Sequence, residues 1–355
     1  MNDELRVALI GYGLGGKAFH APLIAVTPGL RLTTIVTSNP ERRAAAAHDF
    51  PDARIVDSAD AVWANAKDHD LVVITTSNRS HVPLARAAVA ARIPVVVDKP
   101  MAATAQEARE LVAEANRRGV PLTAYHNRRW DGEFLTAQRV IASGELGDVI
   151  RFESRLDRWR PNPVPGVWRE SGAPEDAGGL LYDLGPHLID QARVLFGKVT
   201  HVYAELDRRR PDVVVPDDVF IALRHANGVH SHLWTSAAAA QLGARMRVLG
   251  TRGAYTKQLA DVQEAVLRAG GRADSPGFGE DPETNWGLVG AGEDLRPVKT
   301  EKGEYSRFYA LTVPWLRDGA APPVDPMDAI AVLNIIQAAQ RSVAEAKVVS
   351  LSLHH

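Results

Sequence analysis

The chain of 355 residues contains no cysteine. That absence excludes disulfides, thiolate zinc sites, iron–sulfur clusters and a cysteine nucleophile together, so redox chemistry needs a borrowed cofactor. Long hydrophobic runs are missing as well. None approaches the ~20 apolar residues of a membrane span, and the apolar stretch at residues 5–10 is much shorter than the apolar region of a secretory signal. A cytoplasmic protein is therefore expected. An excess of one charge is also lacking: 41 Lys and Arg against 43 Asp and Glu leave a formal net charge of -2. Such a balance gives no general attraction for polyanions, so neither nucleic acid nor a membrane is an expected partner.

What remains is an ordinary globular composition, 45% hydrophobic and 24% charged. Its length exceeds what one hydrophobic core usually supports, so two domains are expected. In the first third, short β-branched runs at residues 6–10, 31–37, 71–75, 95–98 and 122–124 alternate with alanine-rich helical stretches at 15–26, 41–50, 80–91 and 104–118. Thr104 is a plausible N-cap and Gly119 a stop. This is the pattern of βαβ units around a buried parallel sheet. After Arg128 the texture changes. Residues 149–157, 200–207, 219–225, 229–235 and 244–250 read as strands of an antiparallel sheet, with Ala226, Asn227 and Gly228 as a hairpin turn. Loops are expected at 161–179 and 269–301, and a final amphipathic helix at 326–346 that can pack back on the first domain. The predicted architecture is α/β: a Rossmann domain over 1–126, followed by an α+β domain with a largely antiparallel open sheet over 127–355.

The first strand runs directly into Gly11-x-Gly13-x-x-Gly16 and a helix. In that context Gly11 permits the tight turn, Gly13 lets the backbone approach a pyrophosphate, and Gly16 allows close helix–strand packing, with the helix N-terminus facing the phosphates. An NAD-binding domain carries an acid ~20 residues on, at the end of the second strand, for the ribose 2′-hydroxyl. Here the window reads Thr37, Ser38, Asn39, and Arg42 and Arg43 follow at the start of a helix. Guanidinium groups suit a 2′-phosphate, so NADP is the expected cofactor; a solvated helix face is the plainer reading of the two arginines.

Three further segments look chemically pointed. Asp98, Lys99 and Pro100 end a strand at the carboxyl edge of the sheet, where open α/β sheets bind ligands; a proline after Lys99 biases that residue to extended backbone. Gly178 and Gly179 lead into a helix with Pro186 in its first turn. Asp183 and His187, four positions apart and hence expected on one helix face, suit an orienting carboxylate and a general acid–base. Two blander roles stay open for this pair: Asp183 as a helix cap and His187 as a core residue. The third segment is the polar loop Thr75, Thr76, Ser77, Asn78, Arg79, Ser80 and His81 at the end of a strand, with Ser80 a possible cap.

Together these motifs resemble the Gfo/Idh/MocA oxidoreductases over nearly the whole chain. The segments GYGLGGKAFHAPLI, VVVDKP, HNRRWD, FES, WRE and YDLGPHLIDQA are similar to its subgroup of NADP-dependent scyllo-inositol 2-dehydrogenases. The commonest family form has Glu at the position of Asp98, and this subgroup also uses Asp. The resemblance implies that Lys99, Asp183 and His187 act on a substrate hydroxyl of a polyol or sugar. It also implies cofactor contacts from Gly11, Gly13, Leu14, Gly16, Ser38, Arg42, Arg43, Thr76, Asn78, His81, Asp98 and Lys99, and substrate contacts from Arg128, Trp168 and Arg169, with no metal. A non-catalytic NADP-sensing regulatory protein is the rival reading, which an intact Lys99, Asp183 and His187 argue against.

His126, Asn127, Arg128, Arg129 and Trp130 lie where the chain leaves the first domain and are candidates for lining a cleft. His225, His230 and His232 invite a metal reading, which is disfavoured without convergent carboxylates. Tyr305, Phe308 and Tyr309 are at helical spacing and are read as core. An open antiparallel sheet often pairs with its own copy, so a homo-oligomer is expected.

Overall fold

The computed structural model describes residues 4–352 except Pro165 and Ser171, with the backbone but not the side chain of Trp168. Strands β1 (Leu5–Ile10), β2 (Leu30–Val36), β3 (Arg54–Val56), β4 (Leu71–Ile74), β5 (Val95–Asp98) and β6 (Leu122–Tyr125) form one sheet in the order β3-β2-β1-β4-β5-β6. Every pairing in it is parallel. The central runs Val7–Ala8–Leu9, Val72–Val73–Ile74 and Val95–Val96–Val97 are wholly buried, as β-branched strands covered on both faces must be. The intervening helices are α1 (Ala21–Val26), α2 (Pro40–Asp49), α3 (Asp60–Trp63), α4 (Asn78–Ala90) and α5 (Ala105–Arg118). Strand order reverses between β1 and β4. Their carboxyl ends therefore open the crevice in which such sheets bind ligands.

Local chemistry accounts for the boundaries. Thr104 caps α5 reciprocally with Glu107, the Glu107 N–H donating to Thr104 Oγ1 at 3.2 Å and the Thr104 N–H to Glu107 Oε2 at 3.0 Å, and Gly119 ends the helix at φ +64. The helix expected over 15–26 is divided into a π-helical turn, Gly15–His20, and α1. Pro22 has no N–H to donate back into the preceding turn, so the helix is reset at His20. Ser77 rather than Ser80 occupies the N-cap position of α4, without a side-chain capping bond, and the helix starts at Asn78. Strand β3 escapes sequence reading because only Val56 of its three residues is buried.

The chain continues through α6 (Gly132–Ala142), β7 (Val149–Arg155), α7 (Leu180–Asp183), α8 (Gly185–Phe196), β8 (Val199–Asp207), β9 (Asp218–His225), β10 (His230–Ser236), β11 (Met246–Gly250) and β12 (Ala254–Lys257). It ends with α9 (Gln263–Arg268), β13 (Gly287–Ala291), β14 (Asp294–Val298), α10 (Ser306–Asp318), α11 (Pro326–Glu345) and β15 (Val349–Ser350). The second sheet has nine strands in the order β14-β13-β12-β11-β7-β10-β9-β8-β15. It is antiparallel except where β7 runs parallel to β10. The hairpin between β9 and β10 turns at Ala226–Asn227–Gly228, with Gly228 at φ +91. The stretch expected as a loop over 269–301 holds the β13–β14 hairpin. Most of β14 is exposed, so its polarity disguises it.

The chain divides into two compact units, the first comprising everything up to Asn127 together with Gln263–Phe278 and Glu304–Ile330, the second the remainder. A boundary at residue 126 thus marks only the first crossing. α9 and α10 return to the first unit, where Leu267, Phe308 and Tyr309 are buried, and the division runs through α11. An amphipathic pattern tells that a helix needs a core, not which of two cores it joins. Among the described residues, no helix is long and apolar enough to cross a membrane.

In the second unit His225 is 1% exposed and both ring nitrogens are engaged, Nδ1 at 3.1 Å from the Gly197 carbonyl oxygen and Nε2 at 2.8 Å from Ser231 Oγ. Burial pushes its pKa down to about 4. The unfolded chain therefore takes up this proton first as pH falls. The stabilisation is complete above about 6.5 and is lost between there and about 4, on the order of 3 kcal/mol. His225→Gln should flatten the fall of the thermal midpoint over that range; an unchanged acid limb sinks the assignment.

Candidate functional site

β1 ends at Ile10, and Gly11 turns the chain with φ +105; a Cβ there would lie 2.6 Å from the Thr75 carbonyl oxygen. At Gly15 a Cβ would strike Thr75 Oγ1 and stand 3.3 Å from Asp98 Oδ2, and at Gly16 it would strike the Gly11 carbonyl oxygen. Gly13 differs: its nearest neighbour is the Arg42 guanidinium, at 3.6 Å. Gly11, Gly15 and Gly16 therefore close the turn, while Gly13 leaves open backbone for a ligand. The GxGxxG reading passed over Gly15, whose only signal was the doubled glycine. A cavity of about 790 Å³ opens beside the loop, lined by Gly13, Leu14, Lys17 and Arg42 among others. This volume falls within the range of small-molecule sites, and the exposed loop backbone and cationic rim fit a dinucleotide phosphate.

At the end of β2, Ser38 is exposed and Asn39 caps α2 by accepting the Arg42 N–H at 3.0 Å. The Arg42 guanidinium lines the cavity and has no ion-pair partner among the described residues. Arg43 instead lies 4.0 Å from Asp57 and does not line it.

The end of β5 is held from behind. Asp98 Oδ1 accepts the Lys99 N–H at 2.8 Å, and Oδ2 accepts the Thr75 hydroxyl at 3.1 Å and lies 3.5 Å from His20 Nε2. His20 is fully buried, with Nδ1 2.6 Å from Tyr309 Oη and its ring 4.1 Å from that of Tyr125. Burial alone would raise the Asp98 pKa, but His20 and the charges of Lys99 and His81 outweigh it and hold the carboxyl well below the usual range. His81 is buried between the Pro100 carbonyl oxygen (2.8 Å) and that of Thr76 (3.2 Å), and burial pushes its pKa down. It ties the loop after β4, which carries Thr76 and leads to the buried Asn78 at the start of α4, to the cis Lys99–Pro100 step. Lys99 itself is half-buried at the carboxyl edge. Sequence reasoning missed His20 and read Tyr309 only as core, since nothing in their spacing links residues so far apart.

In the second unit, Gly179 turns at φ +84, where a Cβ would meet the Pro216 carbonyl oxygen at 2.9 Å, and α7 follows. Leu184, at φ -111, separates α7 from α8. Asp183 and His187 therefore belong to consecutive helices rather than to one face of one helix. Asp183 is not the cap of α8 either, because Leu184 occupies that position. Asp183 Oδ1 lies 3.5 Å from Arg169 Nε, and His187 is 6% exposed in the first turn of α8. That helix is clamped one turn further on. Asp190 accepts two Arg129 N–H groups at 2.8 and 2.6 Å, and Gln191 donates to the Arg128 carbonyl at 2.8 Å. Arg128 is buried, 3.3 Å from Asp131. Arg128 and Arg129 thus hold α8 in place, a task their position in the sequence did not suggest. Trp168 lies in the short helical turn Trp168–Glu170, its side chain outside the described set. The rings of His232 and Trp234 pack on Phe220. Among the described residues no group of three His, Asp or Glu side chains is arranged to hold a metal.

A glycine turn at the reversal point of a parallel sheet, with a lysine anchored at the same edge, defines an oxidoreductase built on a nicotinamide-dinucleotide-binding domain. Residues 5–126 match the oxidoreductase family with an NAD-binding Rossmann fold, and residues 134–256 match the GFO/IDH/MocA C-terminal domain. The chain belongs to the Gfo/Idh/MocA oxidoreductase family. It is 40% identical over 339 residues to the uncharacterised oxidoreductase YdgJ of Escherichia coli, spanning 95% of this chain and 96% of that protein. It is 33% identical over 353 residues to the scyllo-inositol 2-dehydrogenase (NADP(+)) IolW of Bacillus subtilis, spanning 98% and 96%. Among solved structures, the YPO2259 chain of Yersinia pestis superposes with a TM-score of 0.92 at 37% identity, covering 100% of this chain and 99% of that one.

Proposed function

We propose that this protein is an NADP-dependent dehydrogenase of the CH–OH group of a cyclic polyol, with scyllo-inositol and its ketone as the first substrate pair to test. The observation that carries the cofactor reading is the Arg42 guanidinium, without an ion-pair partner among the described residues and lying over Gly13, with Ser38 where an NAD-binding domain carries an acid. Similarity to IolW over nearly the whole chain supports the substrate reading.

Bound nicotinamide supplies the hydride acceptor or donor. The chain's own residues handle the proton and the charge. In the oxidative direction His187 takes the hydroxyl proton, Asp183 steadies the resulting imidazolium, and Lys99 donates a hydrogen bond to the reacting oxygen, offsetting its developing negative charge. Reduction reverses each role. Arg128, Trp168 and Arg169 are proposed on the substrate side, and Thr76, Asn78 and His81 along the cofactor. We place the enzyme in the cytoplasm as a homo-oligomer that pairs through the sheet face bearing the exposed Tyr203 and Leu288.

The test is initial-rate kinetics with NADP and NAD across a panel of cyclic polyols, aldoses and ketoses. NADP should be preferred at least tenfold in kcat/KM, and Arg42→Ala should reduce that preference by about tenfold or more, the loss of one charge-assisted contact. Equal constants for the two cofactors, unmoved by Arg42→Ala, exclude the NADP reading. Silence across the whole panel favours a nucleotide-sensing protein instead.

A further inference from the structure

The cavity beside the glycine loop has a wall that the dinucleotide-binding pattern does not supply. Besides Gly13, Lys17 and Arg42, it is lined by Arg268 and Arg272, from the return segment that follows β12 and rejoins the first unit. That segment is firmly seated. Leu267 is 3% exposed, and the Arg268 guanidinium lies 5.8 Å from the ring centroid of Phe19, on the π-helical turn after the glycine loop. Glu264, one turn earlier on α9, accepts from Arg268 Nε at 2.8 Å and sets its direction. Gly270, at φ +82, then turns the chain, with the Gly271 N–H closing back on the Val266 carbonyl at 2.9 Å, so that Arg272 is presented from a defined bend.

Arg272 is exposed at the cavity, and its fork is held flat by Asp274, with Nε to Oδ1 at 2.8 Å and a terminal N–H to Oδ2 at 2.6 Å. A guanidinium carries five N–H donors, so this pairing orients the group while leaving donors for a second anion. The charge around the cavity is unbalanced in the same sense. Of the charged side chains lining it, Lys17, Arg42, Arg268 and Arg272 outnumber Glu41, Asp49 and Asp274 by one; Lys17 is offset by Asp49 at 3.4 Å and Arg272 by Asp274, while Arg42 makes no ion pair among the described residues. A phosphate monoester, which brings up to two negative charges and several acceptor oxygens, suits such a rim; a neutral ribose hydroxyl does not need it.

We propose that residues 267–274 form a strap over the adenosine end of the cofactor, and that Arg272 supplies a second guanidinium to the ribose 2′-phosphate together with Arg42. The inference rests on the NADP reading. It adds that cofactor choice is shared between two segments remote in sequence, one of which lies outside the βαβ unit altogether.

The test measures binding of adenosine 2′,5′-bisphosphate and of AMP to the full chain by calorimetry at constant ionic strength, for the unaltered protein, Arg272→Ala and Arg272→Lys. Arg272 is exposed and surface-paired, so the fold should tolerate both changes. The unaltered protein should bind the bisphosphate more tightly than AMP. Arg272→Ala should weaken the bisphosphate about tenfold or more and leave AMP within twofold, with Arg272→Lys between, because lysine keeps the charge without the fork. Unchanged bisphosphate affinity in Arg272→Ala overturns the strap's role, as does equal weakening of both probes. Failure of the unaltered protein to distinguish the probes overturns the NADP reading and the inference with it, so the two failures are told apart.

Discussion

Lys99→Ala is expected to lower kcat by about 10³-fold while the NADP dissociation constant moves less than about threefold. Removing one preorganised donor to a developing oxyanion costs roughly 10²–10³ in rate. The backbone that presents this lysine is fixed independently of its side chain. Asp98 accepts the Lys99 N–H through one carboxylate oxygen, and Thr75 and His20 hold the other. Truncation should therefore delete the amine without moving the end of β5. Lys99→Arg should recover little, since a planar fork does not replace a compact ammonium. Steady-state rates at saturating NADP, paired with a fluorescence titration of cofactor binding, separate the two effects. His187→Ala should behave alike, and ordinary turnover in both variants would refute the assigned chemistry.

The second large effect is expected at Gly16. A Cβ there strikes the Gly11 carbonyl oxygen, a backbone atom that cannot rotate aside. Gly16→Ala must open the turn between β1 and the π-helical segment, at a cost of about 1–3 kcal/mol. NADP affinity should fall by about 100-fold or more because the loop amides no longer converge. Gly13→Ala is the control. Its Cβ meets only the flexible end of Arg42, at 3.6 Å, so the thermal midpoint should hold while cofactor binding weakens. Equal loss of stability in both variants would show that the two glycines do the same work, contrary to the geometry.

Five of the six strands of the first sheet were legible because their signals are local. β-branched runs of four to seven residues, punctuated by Gly11, the Thr104 cap and Gly119, need no partner to be recognised. The same holds for Lys99, whose place at a strand end follows from the strand. Asp183 and His187 show the limit of the method. Their spacing predicts one helix face, but a chain with Leu184, Gly185 and Pro186 between them starts a second helix there, and Pro186 can be accommodated only in a first turn. Arg128 and Arg129 were read as cleft residues from their place where the chain leaves the first domain. Both also brace α8, where Asp131 and Asp190 supply the charges that make such burial tolerable. The β13–β14 hairpin was invisible for the opposite reason: an exposed edge needs few apolar residues, and its composition reads as loop.

Periodicity and punctuation along the chain were enough to specify a parallel dinucleotide-binding sheet, its glycine turn, the lysine at its edge and a second, mostly antiparallel sheet, because each depends on neighbours within a few residues. Three matters were decided only by the fold. These are the pairing of His20 with Tyr309 behind Asp98, the return of α9 and α10 to the first unit, and the placing of Arg272 and Arg42 along one cavity. Each is a contact between segments far apart in sequence. Such contacts follow from which apolar faces find room in which core, and no spacing rule within a single segment encodes that choice.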